Sequence, residues 1–176
     1  MLTLLRLPNL IFDAIEARAG FLIPTLARFT FASALLVFFW HSAGTKLDGV
    51  FTLSFGAYGQ IFPRTLEAYG YDLSQFGFVH KLIGLAGAYA EYVLPALIVL
   101  GLMTRLAALG MIGFIAVMSW VDIFGHGLDA DTIGALFDRD PYGLIADQRL
   151  FWLVILVTLV VKGAGPLSVD RLIGVK

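Results

Sequence analysis

The sequence contains no cysteine. This excludes a disulfide, a thiolate nucleophile, Cys-ligated zinc and an iron–sulfur cluster held by the chain's own thiols, and it removes cysteine usage as a guide to redox compartment. Charge is scarce too: Asp, Glu, Lys and Arg make up 14% of the 176 residues, against roughly 25% in a soluble domain. Twelve Lys and Arg nearly cancel thirteen Asp and Glu. With no basic run of the kind a phosphate backbone requires, nucleic acid is not an expected partner. No GxSxG, HExxH, GxGxxG or P-loop pattern occurs, so hydrolase, zinc-protease, dinucleotide and nucleotide sites have no support.

What fills the chain instead is apolar. Hydrophobic residues make up 59% of it and the mean hydropathy is +0.87, which points away from a soluble globule and toward a single membrane domain over residues 1–176. At roughly 20 residues per span the length accommodates four to six crossings. The N-terminal stretch does not read as a signal peptide, because Arg6, Pro8, Asp13 and Glu16 break any apolar core. Ile11, Phe12, Ile15 and Ala19 fall near one helical face, as in a short helix lying in the headgroup layer; a plain lead-in helix is the alternative.

Four spans are predicted, over about 21–43, 76–100, 103–124 and 149–165. The link between the second and third is so short that these must be antiparallel neighbours. Arg149 and Lys162 are read as snorkelling from the two ends of the last apolar run. Outside the spans, Arg6, Arg18, Arg105, Lys162, Arg171 and Lys176 lie on the side of the termini, and Lys46, Arg64, Arg139 and Arg149 on the other. The excess favours both termini in the cytoplasm. In the first outer loop, Phe51, Phe55, Tyr58, Phe62, Leu66 and Tyr69 recur at helical spacing, which predicts one amphipathic aromatic helix, either a lid on the bundle or an entry for a lipid-soluble ligand. The expected fold is an all-α integral membrane four-helix bundle with an interfacial N-terminal helix.

An ionisable group in hydrocarbon needs a partner or a purpose. Arg28 and Glu91 lie at similar depths by residue count and are predicted to form an intramembrane ion pair, as a structural clasp or as a ligand anchor or proton relay. At the opposite end, His41, Lys46, His80, Lys81, Asp122 and His126 gather in one leaflet. Imidazoles there are most often hydrated or bonded to backbone. As a ligand site, the group would suit a quinone carbonyl better than a haem or a metal, and Lys81 with Asp122 could equally be a structural pair. Asp129, Asp131, Gly134 and Asp140 approximate a calcium loop, but Ile133 stands at a ligand position and the bidentate Glu is missing. Gly84, Gly87 and Ala88, with Ala107, Gly110 and Gly113, suggest close-packing faces.

Three stretches carry a family resemblance. They are Arg28 followed by Gly44 and Lys46, the segment EYVLPALIVLGLMTRLAAL from Glu91 to Leu109, and the tail DQRLFWLVILVTLVVKGAGPLSVDRLIG from Asp147 to Gly174. In these the chain resembles the DoxX family of small four-span bacterial membrane proteins. The resemblance implies a four-helix protein of the bacterial inner membrane. It also implies a link to redox chemistry, because relatives include the membrane subunit of a thiosulfate:quinone oxidoreductase. Arg28, Lys46, Glu91 and Arg105 match the family pattern without an established catalytic role there; His41, His80 and His126 lie outside it. The resulting expectation is a membrane anchor or quinone-facing subunit of an oxidoreductase system. The alternative is a non-catalytic accessory protein that recruits a maturation or stress-response partner. The partners implied are the lipid bilayer, a soluble redox or maturation protein, and further copies of the chain.

Overall fold

The computed structural model describes residues 7–174, with side chains from Phe12 onward. Arg6 and Lys176 of the charge count, and the side chains of Pro8 and Ile11, lie outside the described residues. A helix over Leu7–Glu16 leads in, with Phe12 and Ile15 exposed on its surface. Four long apolar helices follow: span 1, Ala19–Lys46; span 2, Phe78–Leu100; span 3, Thr104–His126; and span 4, Leu144–Lys162. Span 1 packs against spans 2 and 4, and span 3 closes the ring by packing against the same two. The core is the inner stripe of that ring, with Phe31, Leu35 and Phe39 from span 1, Ile98 from span 2, Met111 and Ile115 from span 3, and Leu156 and Leu159 from span 4. Phe29, Val37, Phe78, Val117 and Phe151 are exposed on the outer surface. A helix apolar inside and out is the form that lipid, not water, stabilises.

Most span bounds differ from expectation by one to three residues and the start of span 4 by five; the end of span 1 and both ends of span 4 have a clear physical reason. Span 1 runs to Lys46 because its polar last turn is inside the bundle: Ala43 and Lys46 are both buried. Span 4 begins at Leu144, and Arg149 therefore lies within it, 5% exposed, not at a lipid-facing end. The helix stops at Gly163, whose φ of +75° ends the α conformation. The turn between spans 2 and 3 is built on Gly101, in the left-handed region at φ +70°, where a Cβ would come within 2.6 Å of Ser168 Cβ.

The first loop is not one helix. A short hairpin (Leu47–Gly49 with Thr52–Leu53) precedes two helices, Phe55–Ile61 and Pro63–Ala68. Pro63 divides them, since it has no N–H to continue the ladder and takes the first position of a new helix. Tyr58 and Leu66 pack on Phe76 as a small second core that caps the bundle, whereas Phe51 and Phe55 are exposed. The loop is thus a lid built from two helices. In the second loop Asp129 caps the helix Ala130–Ile133, accepting from Thr132 N at 2.8 Å and Thr132 Oγ1 at 3.1 Å. Those bonds hold its carboxyl below the usual range. They give Asp129 a capping role in place of a calcium-loop one.

Candidate functional site

Span 1 is not α-helical throughout: Ala32–Leu36 forms a π turn. Span 3 ends in another over Val121–His126, and span 4 begins with a third over Leu144–Gln148. All three contribute residues to one cavity of about 770 Å³ in the half of the bundle facing the lid. A π turn widens the helix by a residue and re-aims its side chains. Here that opens the middle of the ring instead of letting it close. Gly87 and Gly113, on facing spans, also line the cavity, and a Cβ on either would meet nothing within 4 Å. These two glycines are cavity wall. Gly84 and Gly110 behave as packing positions, with Leu53 and Leu94 pressed against them.

The cavity is lined mainly by apolar side chains, Phe38, Phe114 and Trp152 among them, and its Lys, Arg, Asp and Glu residues come in two sets. In the first, Lys46 donates to both oxygens of Glu91, at 3.1 Å (Oε1) and 2.8 Å (Oε2), and to Ser42 Oγ at 2.6 Å, while Ser42 donates to Glu91 at 3.1 Å. Lys46 and Glu91 are 6% and 2% exposed. In the second, Arg149 pairs with Asp122 and donates to Ser119 Oγ at 2.7 Å. The Nε–H of Arg149 is buried without an acceptor. An unanswered buried donor costs about 1–3 kcal/mol.

Glu91 therefore pairs with Lys46, not with Arg28. Matching Cα depths overlooks the direction of helical side chains, which lean toward their own N-terminus. Arg28 leans toward the side of the termini. There it donates to the backbone carbonyls of Ile98 (3.0 Å) and Ala164 (3.2 Å) and to those of Val99 and Leu167. Ile98 is seven residues beyond Glu91, about 10 Å along the helix. Lys46, at the far end of the same span, leans back into the bundle and meets Glu91, whose own side chain leans toward it.

The expected histidine cluster does not assemble either. His41 is exposed; His80 is wedged edge-on between Phe62 and Phe76, with its Nδ1 buried and unpartnered. Only His126 lines the cavity, its Nε2 lying 3.1 Å from the carbonyl of Gln60 in the lid. Lys81 is exposed and does not meet Asp122, whose partner is Arg149. Among the described residues no three His, Asp or Glu side chains are grouped as a metal would need. Arg105 is at the opposite end of the bundle, donating to the carbonyl of Val160 at 3.1 Å.

The family model for DoxX matches residues 23–126, more than half of the chain. The chain belongs to the DoxX family. No curated protein and no solved structure matches it. The matched part of this DoxX chain contains span 1 from Ile23 onward, spans 2 and 3, the lid and the Ser42–Lys46–Glu91 set. Span 4, with Arg149, follows it, as does the tail from Asp147 that carried part of the resemblance. Arg149, Ser42 and Gln60 are the residues that sequence reasoning did not single out. Arg149 had a signal, since an arginine directly before the apolar run Leu150 to Val161 can be inside a span as easily as at its edge. Ser42 and Gln60 had none.

Proposed function

We propose that this DoxX protein holds a carbonyl-bearing, lipid-soluble ligand of the quinone class in its central cavity, as the membrane-anchored, quinone-facing subunit of an oxidoreductase system. The observation that carries the reading is a largely apolar cavity with the cation of Arg149 in its wall. A volume of about 770 Å³ falls within the roughly 300–1,000 Å³ of ordinary ligand pockets. Its chemistry suits the class: aromatic and aliphatic walls take a ring and the start of a tail, and a fixed cation orients one carbonyl. Once bound, a quinone would supply two-electron, two-proton redox chemistry. The chain's own part is to orient the carbonyl through Arg149, to exclude water with the lid, and to hold protonatable groups, Asp122 and His126, at the cavity mouth.

In the bacterial inner membrane, with the termini cytoplasmic as the excess of Lys and Arg favours, the cavity would face the outer leaflet. The electron donor would then be a separate soluble or peripheral redox partner. The test is retention of quinone by protein purified in mild detergent from native membranes, for wild type and for Gly113→Trp. A Cβ at this position meets no atom within 4 Å, so the backbone accepts a side chain and the indole occupies the cavity space. Quinone should accompany the wild type at up to one per chain and fall at least fivefold in the variant. Equal amounts in both, or none in the wild type even after titration with a soluble short-tailed quinone, would refute the reading.

A further inference from the structure

A second cleft, of about 890 Å³, opens at the other end of the bundle, where spans 3 and 4 end on the side of the termini. Three cations from three elements line it: Arg105 from the first turn of span 3, Lys162 from the last residue of span 4, and Arg171 from the short helix Val169–Leu172. All three are exposed, and none is in an ion pair among the described residues. The one carboxylate in the cleft, Asp170, is 7% exposed and committed elsewhere: it accepts from the backbone N–H groups of Met103 (2.6 Å) and Thr104 (3.0 Å), capping span 3. It does not offset the cations by pairing with them. Thr104 also lines the cleft, and its hydroxyl is buried with no hydrogen-bond partner.

The surroundings narrow the choice of anion. Beside the cations, Met103, Leu106 and Ile173 line the cleft and are at least 50% exposed, and Leu106 lies on the outer surface of span 3. A small soluble anion would satisfy the charge and leave that apolar rim in water. We propose that this cleft binds the phosphate headgroup of an anionic phospholipid, with the headgroup among Arg105, Lys162 and Arg171 and the acyl chains along the exposed flank of span 3. Basic clefts between helix ends at the membrane boundary are suited to such headgroups, and each cation contributes a similar, additive share of the attraction. The site is at the opposite end of the bundle from the quinone cavity, so it stands whether or not that cavity is occupied.

The experiment is lipid binding by the full chain, reconstituted in nanodiscs of phosphatidylcholine with a trace of fluorescent phosphatidylglycerol and read as the fluorescent lipid that stays with the protein after transfer to mild detergent. Wild type should enrich phosphatidylglycerol around itself, and half a molar salt should abolish the enrichment by screening. Each of Arg105→Gln, Lys162→Gln and Arg171→Gln should weaken the preference about fivefold, and Arg171→Lys should retain it. Preference that survives high salt in the wild type would overturn the proposal even if no variant folds. So would an unchanged preference in the triple variant, or displacement of the lipid by millimolar inorganic phosphate, which would mark a site for the free anion.

Discussion

Replacing Lys46 by Met should be among the most damaging single changes in the protein, and simultaneous replacement of Glu91 by Leu should restore most of the loss. Lys46 and Glu91 have side chains 8% and 3% exposed, so neither can turn to water when its partner is removed. In Lys46→Met the Glu91 carboxylate loses two of its three hydrogen bonds and keeps only that from Ser42. In Glu91→Leu the ammonium retains Ser42 O and Oγ, so this variant should be the milder. Removing one member of a buried pair costs about 3–5 kcal/mol, whereas replacing both with apolar side chains of similar volume is near neutral. At about 2–4 °C per kcal/mol for a chain of this size, each single variant should melt about 6–20 °C lower, and the double variant much closer to wild type. Tryptophan fluorescence during a thermal ramp in detergent reads this directly. If the double variant lost the sum of the two single losses, the side chains would not be coupled and the arrangement argued here would be wrong. The parallel cycle between Arg28 and Glu91 should be additive within about 0.5 kcal/mol.

Other outcomes follow from the same geometry. Arg28→Leu strands four backbone carbonyls and should cost about 3–5 kcal/mol, with Arg28→Lys only partly restoring it, because an ammonium cannot span four acceptors in a fixed fork; thermal melts in detergent decide it. Asp170→Ala removes the cap of span 3 and should cost about 0.5–2 kcal/mol, measurable by the same melts or by faster exchange of the Met103 and Thr104 amides. Gly165→Ala puts a Cβ 2.7 Å from Pro24 Cγ at a φ of +76° and should lower stability by about 1–3 kcal/mol. Gly113→Ala adds a Cβ to open space and should be neutral or slightly stabilising.

Four spans were legible because an apolar run long enough to cross a bilayer has few other fates, and the antiparallel pairing of the second and third followed from the short link between them. The polar contacts were not, for reasons that differ by residue. Lys46 and Arg149 each stand at the edge of an apolar run, where a cation normally reaches out to the headgroups; the structure turns both inward, into direct contact with carboxylates remote in sequence, Glu91 and Asp122. The aromatic periodicity of the first loop was real, but Pro63 interrupts the helix that would have carried it, a stop visible in the sequence and outweighed there by the spacing. The π turns left no trace in the residue order. Without them the cavity could not be anticipated, and the histidines drew attention that belonged to Arg149.

The π turn at Ala32–Leu36 carries a consequence for comparing relatives. It accommodates one residue more than a regular helix of the same height, so a homologue lacking it would be a residue shorter in mid-membrane and still place its ends correctly. An alignment that forbids gaps inside hydrophobic segments would then shift Phe39, Ser42 and Lys46 by a full position, about 100° around the helix axis, and pair the cavity lysine with a lipid-facing neighbour.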